Sequence, residues 1–371
     1  MTDAELIALY NPDAPLEEAF TIPAPWYLDA RMAEMERERV FAHNWIAVGR
    51  ADQVAAAGQF FTVELEGEPL VVVRGEDGEL RAFFNVCRHH AAAVMAAPCG
   101  TAEHLRCPYH GWTYGLDGSL KGAPEFAGVR NFDRAANGLV PLRVAAWEQF
   151  VFVNLDGNAA ALTEFLDDLP ARVTALGVGG LRFFARKSYT LACNWKVYVD
   201  NYLDGGYHVP HLHKGLNSVL DYREYTIENS RHYSLQSSPM VASSEHAAVT
   251  ATRTGERAHY YWLYPNFMIN IYEGVMDTNL VLPLGVDRCL VQFDFYFADV
   301  SEAARWHNEE SVAVSERIQD EDVDICESVQ RGLRSRAYGA GRLSVRREAG
   351  EHLFHRLLAG DLRAVNSGQG Q

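Results

Sequence analysis

The chain has 371 residues, enough for two domains with separate cores, and its 48% apolar and 22% charged side chains are those of a globular protein. The 33 basic and 49 acidic side chains leave a net charge of −16, a field that repels nucleic acid and anionic membrane. No run of about 18 apolar residues occurs to span a bilayer, and Met1 to Pro15 lacks the apolar centre of a signal peptide, so a cytoplasmic protein is expected.

In chain order, Leu28 to Phe41 reads as a helix, with Met32, Met35 and Phe41 spaced among charges. From Trp45 the pattern turns to short strands: Phe60 to Leu65, Leu70 to Val73 and Leu80 to Phe84, parted by the turns Glu66-Gly-Glu and Glu76-Asp-Gly. Trp112 to Tyr114 and Phe150 to Asn154 continue it. Ala159 to Gly180 reads as a helix ending in a glycine-rich turn. A strand at Phe183 to Leu191 and a helix starting near Asn194 follow. Tyr260 to Leu263, Met268 to Tyr272, Thr278 to Pro283 and Leu290 to Phe297 suggest an antiparallel sheet, and Ser301 to Arg331 one long helix. Strands and helices in separate blocks argue an α+β fold. The expected division is an N-terminal segment 1–41 packing on the second domain, a β-rich domain 42–156, and a second domain 157–371.

Three of the six cysteines, Cys87, Cys99 and Cys107, crowd into 21 residues, while Cys193, Cys289 and Cys326 are scattered. In a reducing compartment such crowding signals metal more often than disulfide. Cys87-x-His89, 17 residues, then Cys107-x-x-His110 brings a thiolate and an imidazole from each of two loops. Zinc accepts these donors, but structural zinc sites usually pair like with like. Mixed pairs suit a Rieske [2Fe–2S] cluster, in which two cysteines hold one iron and two histidines the other. Cys99, His90 and His104 are spare candidates.

A second constellation runs from Asn194 to His213. Asp200, Asp204 and His208 are four apart, so a helix would stack them on one face and let Asp204 orient the His208 ring. Pro210 breaks that helix, and His213 then arrives from a bent segment. Two histidines and a carboxylate form the facial triad of non-haem Fe(II) oxygenases. His211 competes as a ligand, and a plain surface histidine cluster is the bland alternative. Val314, Ile318, Ile325, Val329 and Leu333 form an apolar stripe at helical spacing, and Asp322 falls within it. Asp320 and Asp324 fall on the opposite side. A lone inward carboxylate is costly unless paired or metal-bound, which makes Asp322 the third candidate ligand, with a buried salt bridge as the alternative.

The segments Asn85-Val-Cys-Arg-His-His and Cys107-Pro-Tyr-His-Gly-Trp-Thr-Tyr-Gly-Leu-Asp-Gly-Ser-Leu resemble the Rieske domain of ring-hydroxylating oxygenase alpha subunits. One local departure is His90-Ala91, where that family commonly has Arg-Gly. The resemblance extends from Trp26 to about Phe354 and implies a β-rich Rieske domain beside a helix-grip catalytic domain. It also implies a homotrimer in which one subunit's cluster serves its neighbour's iron, with His110 facing an acidic bridge that leads to His208. That bridge usually lies three residues before the first iron-ligand histidine, which here is Gly205. The Gly205-Gly206 pair looks like a one-residue expansion, so Asp204 takes the role, with Asp200 as fallback and Asn201 between them as a further candidate catalytic residue.

The resemblance further implies a separate flavin or iron–sulfur reductase, acting directly or through a ferredoxin. No GxGxxG in a strand–helix context indicates a nucleotide site on this chain. The run from Asp200 to Leu216 resembles choline monooxygenases, which implies hydroxylation or N-demethylation of a small quaternary ammonium compound using dioxygen. Aromatic faces bind such cations, and Tyr260, Tyr261, Trp262, Tyr264, Phe267 and Tyr272 supply an aromatic stretch, although such strands are more often plain core. The alternative is ring hydroxylation or O-demethylation of an aromatic substrate.

Overall fold

The computed structural model describes residues 1–241 and 247–364. Contacts divide the chain into two compact units, Phe41–Phe165 and Met1–Val40 with Leu166–Gln371.

The smaller unit is built from β1 (Ile46–Arg50), β2 (Gln59–Leu65), β3 (Glu68–Arg74), β4 (Leu80–Phe84), β5 (Cys99–Thr101), β6 (Leu105–Arg106), β7 (Thr113–Tyr114), β8 (Leu120–Gly122), β9 (Pro141–Trp147) and β10 (Phe150–Asn154). Seven of these form one antiparallel sheet in the order β1-β10-β9-β4-β3-β2-β5, and β6-β7-β8 form a small second sheet. The β2–β3 hairpin closes through Glu66 and Gly67, both at positive φ (49° and 83°), the backbone that a tight two-residue hairpin requires. Phe60, Val71, Val73, Phe83, Leu105 and Trp112 build a core that also encloses Cys87 and Cys107.

The larger unit holds a second seven-stranded sheet of β11 (Arg182–Leu191), β12 (Thr226–Asn229), β13 (Tyr233–Pro239), β14 (Arg257–Leu263), β15 (Phe267–Tyr272), β16 (Val275–Gly285) and β17 (Arg288–Phe297). Its order is β11-β17-β16-β15-β14-β13-β12, antiparallel throughout. Three helices pack against this sheet: the ligand helix Trp195–Leu203, the long helix Arg305–Leu333, and Ala349–Arg363. With separate blocks of sheet and helix, the architecture is α+β.

Local chemistry explains where the elements depart from the sequence pattern. The helix expected over Leu28 to Phe41 starts at Ala30 and closes in a π-helical turn, Arg37–Phe41; Asp29 leaves helical geometry, separates it from Ala24–Leu28 and caps it through its side chain. The segment 159–180 is likewise split into Leu162–Leu166 and Leu169–Thr174, with Asp167 at φ 54°. Pro170 cannot donate back into a continuous helix and sits instead in the first turn of the new one. Asn194 starts the ligand helix by accepting from Lys196 N at 3.1 Å.

The long helix corrects one expectation. Ile325 and Val329 are 39% and 45% exposed, so the expected apolar stripe faces inward at Val314 and Leu333 but not along its middle. Between them Ser315, Gln319, Asp322, Cys326 and Gln330 are buried. This face is polar because it meets hydrogen-bonding partners: Gln319 accepts from Tyr198 Oη at 2.6 Å and Gln330 from Asn194 N at 2.8 Å.

Candidate active site

In the smaller unit the two Cys/His loops share one geometry. Cys87 O accepts from Ala91 N at 3.0 Å, and Cys107 O accepts from Gly111 N at 3.1 Å. Each turn is completed by a left-handed residue, Ala91 at φ 60° and Gly111 at 73°. The departure at Ala91 thus places a Cβ where glycine is the unstrained residue. Both thiols are buried in the core, whereas the imidazoles lie towards the outside with the His89 and His110 ring centroids 4.8 Å apart. His89 stacks on Trp112 at 4.9 Å and 2° between planes. Tyr114 Oη accepts from Arg88 N at 3.0 Å and lies within hydrogen-bond reach of Cys87 Sγ at 3.3 Å.

These residues fit a cluster with cysteine on the inner iron and histidine on the outer. Among the described residues, buried His89 Nδ1 has no hydrogen-bond partner, as fits a nitrogen that serves as a metal ligand. Desolvation, then the neighbouring His90 and His110, hold its pKa below the usual histidine value, favouring the neutral ligand form. Cys99 and His104 are exposed, while the exposed His90 ring lies 4.1 Å from that of His89.

The larger unit gathers His208, His213 and Asp322, whose donor atoms lie within 4.8 Å of one another. Asp322 Oδ1 is 3.1 Å from His213 Nε2 and 3.9 Å from His208 Nε2. Ligands at right angles around an ion at about 2.1 Å sit about 3 Å apart, the spacing of the Asp322–His213 pair, while His208 stands wider. The other ring nitrogens are already held: His208 Nδ1 by Asp204 Oδ2 and His213 Nδ1 by Glu321 Oε2, both at 2.6 Å. Asn201 Nδ2 donates to Asp322 Oδ1 at 2.8 Å. Burial disfavours a charged His213, but Asp322 and Glu321 outweigh it and raise its pKa. A site that attracts a proton in this way also attracts a cation. His211 is exposed and takes no part in the group.

The backbone between these residues is not the continuous helix expected over Asp200 to His208. The ligand helix stops at Leu203, and Gly205 and Gly206 both adopt φ 67° before the short helix Val209–Leu212 begins. A Cβ on Gly205 would fall 2.0 Å from Arg347 O, so an acidic side chain has no room there. Asp204 curls back instead, accepting from Tyr207 N at 3.1 Å and His208 N at 3.0 Å besides the His208 ring. Asp200, one helical turn earlier, points elsewhere: its oxygens meet Tyr27 Oη at 2.5 Å and His355 Nε2 at 3.0 Å.

A cavity opens onto the triad. Tyr202, Tyr225, Tyr260, Tyr272 and Phe293 give it aromatic walls, and Asn201, His208, His213 and Asp322 form one end. Of the aromatic stretch singled out in the sequence, Tyr260 and Tyr272 reach this cavity, while Tyr261, Trp262, Tyr264 and Phe267 are buried without lining it.

Residues 44–133 match the Rieske [2Fe–2S] domain, and residues 178–362 match the catalytic domain of the ring-hydroxylating alpha subunit. The chain is 42% identical to the chloroplastic choline monooxygenase of Arabidopsis thaliana over 97% of its own length and 87% of the relative's. It is 35% identical to the carnitine monooxygenase oxygenase subunit of Escherichia coli K12, over 92% and 94% of the two chains. A solved quaternary ammonium Rieske monooxygenase superposes with a TM-score of 0.84 at 30% identity, covering 98% of this chain and 99% of that one. The chain belongs to the Rieske ring-hydroxylating oxygenases.

As a Rieske non-haem iron oxygenase it combines a [2Fe–2S] domain with a catalytic domain carrying a His/His/Asp iron-type site, and as an oxygenase subunit it works with a reductase and a substrate. Among the described residues, no helix of this oxygenase is long and apolar enough to cross a membrane.

Three contributors to the oxygenase site were not assigned from sequence. Glu321 stood in the acidic run 320–324, and only the bent approach of His213 selects it. Arg253 and Asp277 line the cavity from parts of the chain with no motif. A separate group, Asp200, Glu351 and His355, also converges its donor atoms within 4.8 Å. Burial, then Asp200, push the Glu351 carboxyl well above the usual carboxylate range.

Proposed function

We propose that this chain is the terminal oxygenase of a multicomponent system that hydroxylates or N-demethylates a small quaternary ammonium compound. Cys87, His89, Cys107 and His110 hold the [2Fe–2S] cluster, and His208, His213 and Asp322 hold Fe(II). When bound, the cluster relays single electrons from a flavin or iron–sulfur reductase, directly or through a ferredoxin, and the iron activates dioxygen.

The protein's own residues do the rest. Asp204 and Glu321 fix the two imidazoles in the tautomer that leaves both Nε2 atoms towards the metal. Asn201 holds Asp322. In a homotrimer, Asp204 is the acidic bridge that accepts a hydrogen bond from His110 of the neighbouring subunit; its grip on His208 supports this role. The functional domains follow 42–156 and 157–371, with 1–41 belonging to the catalytic side, a reading supported by the Tyr27–Asp200 bond and by Lys196 Nζ on Glu36 Oε1 at 2.6 Å. Work in the cytoplasm is supported by six cysteines of which none forms a disulfide.

The observation that carries the substrate reading is the tyrosine-walled cavity ending on the triad, since aromatic faces attract methylated ammonium groups. The names of the choline and carnitine relatives agree with it. The test is metal analysis with visible and paramagnetic resonance spectra, then oxygen consumption over a substrate panel with a competent reductase. Two cluster irons plus one mononuclear iron per chain, with turnover of choline, a betaine or carnitine, is the expected result. Failure of all three substrate classes, with turnover of aromatic compounds, sinks it.

A further inference from the structure

The cavity contains a buried carboxylate that ligation of iron does not use. Asp277, on β16, is 4% exposed and lines the cavity with Tyr260 and Tyr272, whose hydroxyls lie 3.0 Å apart. Among the described residues one hydrogen bond reaches its carboxylate, from Asn270 Nδ2 to Oδ2 at 2.7 Å. Its other oxygen faces Arg253 Nη2 at 3.7 Å, beyond hydrogen-bond length.

Arg253 is committed elsewhere. Its guanidinium donates to Ser311 Oγ and, at 2.5 Å, to Ser315 Oγ on the long helix, and its plane lies 4.9 Å from the Tyr272 ring centre. It therefore supplies charge to the Asp277 environment without capping Oδ1. Burial raises the Asp277 pKa, and Arg253 and then Asn270 offset only part of that, so a second cation at Oδ1 is what would favour the ionised form. Arg253 thus meets the long helix at Ser315, seven residues and about 10 Å of helix from Asp322.

A quaternary ammonium has no N–H to donate. Its ideal partner is an anion without competing hydrogen bonds, bordered by aromatic rings. We propose that Asp277 is the residue that recognises the substrate's cationic head, holding a methylated ammonium in the cavity beside Tyr260 and Tyr272. This rests on the quaternary ammonium reading and adds to it a residue and a position. Asp277 acts here as a specificity determinant.

The test compares each cationic substrate with its uncharged carbon isostere in the iron-loaded enzyme: choline against its tert-butyl alcohol isostere, and glycine betaine against the matching tert-butyl carboxylate. The wild type should favour the ammonium member by about tenfold or more in KM, the scale of a desolvated cation contact. Asp277→Asn should bring that ratio close to one by weakening the ammonium member alone, with the isostere's KM and the iron content unchanged. Asp277→Glu should restore the preference. Parity between the members in the wild type overturns the proposal, whether or not the variant folds. An equal loss of both members in D277N also overturns it, because that is the signature of a residue that merely supports Arg253. If neither ammonium compound binds or drives oxygen consumption, the quaternary ammonium reading itself has failed, and the role of Asp277 falls with it.

Discussion

Asn201 Nδ2 donates at 2.8 Å to Asp322 Oδ1, the same oxygen that stands 3.1 Å from His213 Nε2. The bond ties the ligand helix to the long helix at the one carboxylate shared by both candidate iron imidazoles. Orienting residues of this kind typically change metal affinity or activity by about 10- to 100-fold. Asn201→Ala should therefore lower turnover by that factor and reduce the mononuclear iron content, leaving the cluster spectrum unchanged. Full iron retention with wild-type turnover would mean that Asp322 needs no such support.

Asp204 and Asp200 should separate cleanly. Asp204 holds His208 Nδ1 at 2.6 Å, whereas Asp200 is bound by Tyr27 and His355. Asp204→Asn should slow reoxidation of a reduced cluster by substrate and dioxygen about 10- to 100-fold while the cluster still accepts electrons. Asp200→Asn should lower thermal stability and retain most turnover per folded chain. Single-turnover kinetics followed at the cluster's absorption band distinguish the two.

Ala91 offers a stability test independent of activity. It occupies φ 60° in a turn whose counterpart is Gly111, and a left-handed residue with a Cβ costs roughly 1–2 kcal/mol. Ala91→Gly should recover about 1 kcal/mol of that, offset in part by the greater entropy of the unfolded chain. A higher unfolding midpoint with an unchanged cluster spectrum is the expected outcome; a lower midpoint would show that the turn prefers alanine.

Glu351 should make stability depend on pH. Its folded pKa is raised above the unfolded value by burial, so the folded state binds more protons between the two. The stability this proton contributes is complete below the unfolded pKa and is lost as pH rises through the folded one. Glu351→Gln should consequently stabilise the protein more at pH 8 than at pH 5, measured by denaturant unfolding. An equal effect at both values would place the carboxylate's charge in solvent.

Much of the site was legible because its chemistry is local in sequence. Cys87, His89, Cys107 and His110 arrive as mixed pairs on two short loops, and each loop is closed by its own backbone, so spacing alone carries the donor set. His208 and His213 flank Pro210 in one segment, and the sheet of the catalytic domain announces itself through runs of β-branched and aromatic residues. Asp322 was found from the sequence through a stripe that turned out to be misdrawn. Ile325 and Val329 face outward, and the buried side of the long helix is polar because it meets Tyr198, Asn194, Asn201 and Arg253.

What only tertiary structure decided are the relationships between segments far apart in the chain. Gly205 must be glycine because Arg347 O lies where its Cβ would go, and that contact, 142 residues away, forces the carboxylate back to Asp204. The same holds for Asp277 and Arg253, which meet in the cavity from β16 and from the segment before β14. Donor types and their spacing are properties of a short stretch of chain; which oxygen faces which ring, and which carboxylate remains open to a ligand, depends on packing between stretches that share no local pattern.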